Sequence, residues 1–132
     1  MSTSKIVVNA IRTPDGTVLR SYHRHDYVTH KDTISGEVYM TDGGLDYMRR
    51  SVNTVPYEDL SLYSDAPHEQ LRVAVTWGTR GKYGSEPLRH LPISQMDNDH
   101  IFAVLDTQQN MYPQVRAIMI NELKQRGLEY EE

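Results

Sequence analysis

The sequence contains no cysteine. Disulfide bonds and thiolate-ligated zinc sites are therefore excluded, and a metal ion would have only histidine and carboxylate ligands. The sequence also lacks an apolar run long enough for a membrane-spanning helix, and no secretory signal is visible after Met1. A cytoplasmic protein without a membrane partner is expected. The formal net charge of -4 offers no basic field to long nucleic acid, so nonspecific binding of DNA or RNA is not expected.

The length and composition of the chain are typical of one globular domain. The chain has 132 residues, of which 38% are hydrophobic and 24% charged, enough to bury a single core. We predict an α+β domain over residues 1–132. Its parts are an N-terminal antiparallel β-sheet, built as a meander of hairpins over 5–65, an irregular glycine-rich region over 66–95, and two antiparallel helices over 96–127.

Turn residues divide the N-terminal half into short strands. The apolar run at 5–11 is followed by Thr13-Pro14-Asp15-Gly16 and a returning strand at 17–21, a pattern typical of a hairpin. A strand over 22–29 is expected to fold back at Ser35-Gly36 onto 37–41. About four to six short strands are expected across this half. Residues 68–77 fit either a helical turn or a buried strand.

The C-terminal third changes to a helical period. Apolar residues recur at helical spacing after Asp97 and Asp99, whose carboxylates favour a helix N-terminus, and Asn110 is expected to end this first helix. Pro113 fits the first position of a second helix that Gly127 ends. Apolar groups on more than one side of the second helix favour self-association.

The stretch from Tyr22 to Arg50 is unusually dense in chemically active side chains. On an extended strand His25 and Tyr27 share one face with His23. The spacing of His23 and His25 is able to chelate a first-row metal, although ordinary surface histidines are the favoured interpretation and no metal is expected. A metal-dependent hydrolase would then use Asp26 or Asp42 as its base. No nucleophile motif is present, and no cofactor is expected.

Cations in separate parts of the chain suit an anionic ligand instead. Guanidinium groups stay charged and bind phosphate oxygens in pairs, and tyrosines or a tryptophan at the edge of a glycine loop can stack a base. Backbone amides also favour anions in a glycine-rich basic loop such as 78–84, although a solvated surface loop is the plainer interpretation. The candidate ligand-binding residues of this kind are Arg49, Arg50, Arg80, Lys82, Arg116, Trp77, His25 and Tyr27.

Several segments resemble a small cytoplasmic protein family of tailed bacteriophages. They read HRHDYVTH, DGGLDYMRRSVN, TWGTRGKYG, EPLRHLPI, MDNDHIFAVLDTQ and PQVRAIMINELKQRG, and together they span about residues 5 to 127. The plan of a sheet followed by two helices is similar to that of phage anti-Thoeris sponge proteins. These form dimers or larger oligomers that sequester cyclic ADP-ribose isomers, and some also bind cyclic oligonucleotides, without cleaving them.

The resemblance implies roles for individual residues. Arg49 or Arg50, together with Arg116, would hold a pyrophosphate between subunits, and Asp99 or His100 would meet ribose hydroxyls. The function expected on this basis is immune evasion in the cytoplasm of the host bacterium, by a homo-oligomer that sequesters a small cyclic nucleotide. A second hypothesis is a host-takeover protein that inhibits a bacterial protein through the acidic helical pair. A metal-dependent phosphodiesterase is the third.

Overall fold

The computed structural model of the chain describes residues 4–81 and 83–131, and it divides into two compact units, Met1–Tyr63 and Ser64–Glu132. The N-terminal unit consists of antiparallel strands, whereas the C-terminal unit contains helices and a short hairpin. The predicted α+β class, with sheets first and two helices near the C-terminus, is therefore confirmed. None of the helices in the described part of the chain has the length and apolarity needed to cross a bilayer.

Strand β1 is the centre of the N-terminal unit. The strands of this unit are β1 (Ile6–Arg12), β2 (Val18–Ser21), β3 (Val28–Lys31), β4 (Val38–Asp42), β5 (Arg49–Arg50), β6 (Glu58–Asp59) and β7 (Leu62–Tyr63). β1 pairs with β2 and also with β6 and β7, while β3, β4 and β5 form a separate antiparallel sheet. The late strands thus return to the start of the chain instead of continuing a meander.

The core of this unit lies where β1 and β2 meet β4. Ile11, Leu19 and Tyr39 are buried together, and the partly buried Val28 and Tyr57 pack against them. β1 is buried at consecutive positions and therefore on both faces, which explains why its sequence is apolar without alternation.

The strand predicted over 22–29 is wrong in its first part. The chain turns at 22–27, where the amide of Asp26 donates to the carbonyl of His23 at 3.0 Å, and strand β3 begins only at Val28. The Asp26 carboxylate accepts the amide of Tyr22 at 2.8 Å, a local bond of the kind that competes with a strand ladder. The expected hairpin is confirmed, since β3 pairs antiparallel with β4 across a turn that contains Gly36.

The C-terminal unit begins with a helix. Its elements are α1 (His68–Ala74), β8 (Thr76–Thr79), β9 (Arg89–Pro92), a 3-10 turn (Ile93–Gln95), α2 (Asn98–Thr107) and α3 (Pro113–Gln125). Residues 68–77, which fit a helix or a strand, form α1 and then enter β8. The region 66–95, expected to be irregular, therefore contains a helix and a paired hairpin.

Local sequence signals correctly predict where the two C-terminal helices begin. The Asp97 carboxylate accepts the amide of His100 at 2.8 Å and caps α2, and Pro113 is the first residue of α3. Gly127 has a φ of +82°, and the amide of Leu128 donates to the carbonyl of Leu123 at 2.9 Å, which is the expected glycine stop. α2 ends at Thr107, earlier than Asn110.

Candidate functional site

The double glycine after β4 brings two loops into direct contact. Gly43 and Gly44 have φ angles of +105° and +54°, a region that residues with a Cβ rarely adopt. A Cβ on Gly44 would lie 2.4 Å from the backbone carbonyl carbon of His23. The amide of Gly44 donates to the Ser21 hydroxyl at 2.9 Å, and this hydroxyl donates to the carbonyl of Asp26 at 2.7 Å. The glycine turn therefore fixes the loop at 22–27.

The buried side chain of Asn9, on β1, holds the glycine turn in place through hydrogen bonds. Its amide nitrogen donates to the carbonyls of Asp42 and Gly44 at 3.2 and 3.1 Å. Its side-chain oxygen accepts the Thr41 hydroxyl at 2.6 Å and the Arg50 guanidinium at 3.0 Å. The hydrogen-bonding capacity of the Asn9 side chain is thus used within the unit, as expected for a buried amide.

A chain of hydrogen bonds runs from an exposed histidine to a buried carboxylate. The His25 Nδ1 lies 2.8 Å from the Tyr47 hydroxyl, which lies 3.3 Å from Asp42 Oδ2. Arg49 donates to the same oxygen through Nε at 3.3 Å and Nη2 at 3.0 Å. Asp42 Oδ1 is buried and has no hydrogen-bond partner in the described part of the chain. The result is a connected polar network with one unsatisfied carboxylate oxygen.

The outer end of this network faces solvent. The Arg49 side chain is 64% exposed although its partner Asp42 is 5% exposed, and its guanidinium carbon lies 5.9 Å from the ring centroid of Tyr27. Tyr27 is 53% exposed. We call His25, Tyr27, Asp42, Tyr47 and Arg49 the glycine-turn site. It unites three predicted ligand residues, His25, Tyr27 and Arg49, with Asp42, which the sequence offered only as a candidate base, and adds Tyr47 as a connecting residue.

Arg50 is placed differently from its neighbour. Its side chain is 7% exposed, and its guanidinium donates to Asp59 at 3.0 Å, to Ser61 at 2.6 Å and to Asn9. These bonds join β5 to β1 and to the segment around β6. The structure therefore gives Arg50 partners within its own unit.

The remaining predicted ligand residues belong to the C-terminal unit. Arg116 donates to the carbonyl of Leu105 at 3.1 Å and lies over the ring of Tyr130 at 5.5 Å. Asp99 is exposed and His100 half-buried in the first turn of α2, Trp77 is half-buried on β8, and Arg80 is exposed after that strand. Lys82 lies outside the described residues.

The strand that would have aligned His23 and His25 for a metal ion is not present, because the chain turns at 22–27. The Nδ1 of His23 lies 3.0 Å from the carbonyl of Arg24, whereas His25 faces Tyr47. The described residues contain one other group with metal-ligand chemistry, formed by Asp15, His30 and Asp32, whose ligand atoms lie within 4.8 Å of one another. Neither His23 nor His25 belongs to it.

Hydrogen bonds within this group join the turn that follows β1 to the turn that follows β3. Asp15 Oδ2 accepts His30 Nε2 at 2.8 Å and the amide of Thr33 at 2.9 Å, while Asp15 Oδ1 accepts the amide of Thr17 at 3.0 Å. Asp32 accepts the amides of Asp15 and Ser35 at 2.7 and 2.6 Å. The hydrogen bond from His30 and those from the two threonines hold the pKa of Asp15 far below its usual value. Because every carboxylate oxygen has a donor, these residues already have a structural role.

The C-terminal unit contains a buried carboxylate that sequence reasoning missed. Glu122 on α3 is 1% exposed and accepts His68 at 2.9 Å, Arg72 at 2.8 Å and Arg126 at 2.8 Å. The hydrogen bond from Arg72, helped by His68 and Arg126, lowers the pKa of Glu122 from 4.5 to about 2. The sequence contains two signals for it, the position of Glu122 on the apolar face of its helix and its i, i+4 spacing to Arg126. The cluster joins α1 to α3.

Comparison of the chain with protein families, with functionally characterised proteins and with solved structures finds no match in any of the three. The glycine-turn site must therefore be interpreted from its own geometry.

Proposed function

We propose that this protein binds and sequesters a small phosphorylated ligand, of the cyclic nucleotide class, and that the glycine-turn site holds the ligand without cleaving it. The observation that supports this most directly is the exposed pairing of the Arg49 guanidinium with the Tyr27 ring. The proposed setting is the cytoplasm of a phage-infected bacterium, as for the sponge proteins that the sequence resembles.

Arg49 has the properties of a phosphate-binding residue. Its Nε and Nη2 donate to Asp42, which fixes the orientation of the planar group, and its Nη1 makes no hydrogen bond to any described residue. An oriented guanidinium loses little side-chain entropy when an anion binds, so more of the interaction energy contributes to affinity. His25 is connected to the same carboxylate through Tyr47, so the site also contains an exposed imidazole.

Tyr27 provides the aromatic surface that a nucleotide base requires. Base stacking on an aromatic side chain contributes roughly 1–3 kcal/mol per base, and a guanidinium beside the ring favours the same arrangement. A site that combines an aromatic face with a fixed cation suits a ligand that carries both a base and a phosphate. Inorganic phosphate alone would contact the guanidinium but would leave the aromatic ring unused.

The decisive experiment is a binding and recovery assay with the full chain. The protein is titrated by calorimetry with cyclic ADP-ribose isomers and with cyclic di- and trinucleotides, and the bound ligand is then released by heat and analysed by mass spectrometry. We expect at least one ligand to bind and to return unchanged. Absence of binding throughout the panel, or recovery of a hydrolysed product, would contradict the proposal.

The variant Arg49→Gln tests the site itself. Loss of a charge-assisted hydrogen bond to the ligand should weaken binding about 10- to 100-fold. Arg12→Gln is the matched control, because Arg12 is also a half-exposed arginine of the N-terminal unit and pairs with Glu58 at 2.9 Å, away from the glycine-turn site. Thermal unfolding of both variants shows whether they are folded, and Arg49→Lys, which keeps a cation beside Asp42, is expected to bind with intermediate affinity.

A second function is favoured by an apolar surface on the same unit. Ile34 is 72% exposed, Val38 52%, Val52 102% and Val55 39%. The Glu37 carboxylate accepts the amides of residues 54 and 55 at 2.8 and 2.9 Å, which holds these segments side by side. We call these four side chains the valine patch. Exposed apolar patches mark interaction surfaces, so binding to a protein partner is the alternative.

A further inference from the structure

His25 has an unusual backbone conformation for its residue type. Its φ is +64°, and among the described residues every other positive φ belongs to a glycine. A left-handed conformation costs a histidine on the order of 1 kcal/mol or more. The conformation is held by the contact of Gly44 with the backbone of His23 and by the bond of the Tyr27 amide to the His25 carbonyl at 3.0 Å.

The hydrogen bonds of the network favour one tautomer of the His25 ring. The Asp42 carboxylate only accepts hydrogen bonds, so the single hydroxyl hydrogen of Tyr47 is donated to it. The Tyr47 oxygen must then accept a hydrogen from His25 Nδ1. The neutral ring therefore carries its lone pair on Nε2. This nitrogen has no hydrogen-bond partner among the described residues, and His25 is an exposed residue.

The negative charge of the buried Asp42 carboxylate would balance the positive charge that a reaction at Nε2 creates on the His25 ring. When Nε2 forms a covalent bond, the ring gains positive charge while Nδ1 keeps its hydrogen. Asp42 is connected to that nitrogen through one hydroxyl, and its Oδ1 has no partner among the described residues. A buried carboxylate oxygen without a hydrogen-bond partner is unfavourable in a resting structure. It is suited to stabilising a cation that forms during a reaction.

We propose that His25 is a nucleophilic imidazole that accepts a phosphoryl group on Nε2 from a small donor with a labile P–N or P–O bond. The Nε2 lone pair forms the N–P bond while the bond from phosphorus to the donor's leaving atom breaks. The leaving group departs with that electron pair and takes a proton from water. Arg49 bonds to the same carboxylate as Tyr47, so the network also includes a guanidinium, a group that binds phosphoryl oxygens. The network exists whether or not a nucleotide is the ligand, so this inference does not depend on the proposed function.

The test uses the full chain and phosphoramidate, a donor whose leaving group is ammonia. Labelling is followed by intact mass and by peptide mapping under alkaline conditions, which preserve phosphohistidine. His23 is an internal control, because its side chain is 71% exposed and lies on the same loop, with Asp26 Oδ2 4.0 Å from its Nε2 but no bond to Tyr47 or Asp42. We expect His25 to be phosphorylated about 10-fold faster than His23, or more, in the range that supporting hydrogen bonds provide.

The variant Tyr47→Phe keeps the ring and removes the hydroxyl that joins His25 to Asp42. It should lower the labelling rate of His25 about 10-fold and leave that of His23 unchanged. Equal rates at the two histidines of the wild-type protein, or no labelling of either, would overturn the proposal even if the variant were unstable. A folded Tyr47→Phe protein that labels at the wild-type rate would also overturn it.

Discussion

Gly44 shows at the scale of one residue how the candidate site depends on the backbone. Its φ of +54° is accessible to other residues at some cost, but the space beside it is not, because the backbone of His23 occupies the position of a Cβ. Backbone atoms cannot move aside as the end of a flexible side chain can. A side chain at this position must therefore separate the loop at 22–27 from the turn after β4.

We expect Gly44→Ala to destabilise the N-terminal unit by roughly 3 kcal/mol, since strain in φ and a steric clash act together. The matched control is Gly36→Ala, where φ is +74° and no atom lies within 4 Å of the position that the new Cβ would take. That variant should lose only about 1 kcal/mol. Urea denaturation measures both. Equal losses would mean that the close approach to His23 does not limit stability.

Adjacent arginines show why the site was only partly predictable at this scale. Arg49 and Arg50 have the same chemistry in the sequence, yet Arg49 is exposed and Arg50 is buried among acceptors from β1 and from residues 59–61. The partners of Arg50 lie far away in sequence, and their positions depend on the pairing of β6 and β7 with β1. No local pattern contains that information.

At the scale of an element, the prediction succeeded where structure is determined locally. The starts of α2 and α3 follow from Asp97 and Pro113, and the end of α3 follows from Gly127. The strand over 22–29 failed because alternation of side chains does not reveal that Asp26 bonds to the amide of Tyr22. The sequence therefore named most of the residues that form the glycine-turn site, but neither Tyr47 nor the arrangement of the site.

Glu122 joins α1 to α3 through its hydrogen bonds. We expect Glu122→Gln to destabilise the C-terminal unit by roughly 3 kcal/mol at neutral pH, because the substitution leaves two arginines without their buried counter-charge. The pKa of Glu122 is lowered by Arg72, His68 and Arg126 from 4.5 to about 2. Its contribution to stability is therefore complete above pH 4.5 and is lost as the pH falls towards 2.

Urea denaturation at several pH values checks this prediction. The difference in unfolding free energy between wild type and Glu122→Gln should shrink as the pH is lowered through that window. Glu129→Gln is the control, because Glu129 is an exposed carboxylate of the same unit, and its curve should run parallel to that of the wild type. A difference between wild type and Glu122→Gln that stays constant down to pH 2 would show that the charge of Glu122 does not stabilise the cluster.

At the scale of the whole molecule, the valine patch leads to a prediction about assembly. Its four exposed side chains lie on neighbouring segments of the N-terminal unit, and burial of apolar surface is the main favourable term in association. The proposed function includes assembly as a homo-oligomer, so we expect the mass in solution to be at least twice 15.2 kDa. Light scattering coupled to size-exclusion chromatography measures it.

The variant Val52→Asp places a charge at the most exposed side chain of the patch and should shift the protein to the monomer, because an unpaired carboxylate in an apolar interface is strongly unfavourable. Val73→Asp is the matched control, since Val73 is 56% exposed on α1, in the other unit, and should leave the mass unchanged. A monomeric wild-type protein would contradict self-association through the valine patch.

The patch would then be available to a different partner. A bacterial protein that is captured by the wild type and lost with Val52→Asp would support the alternative function.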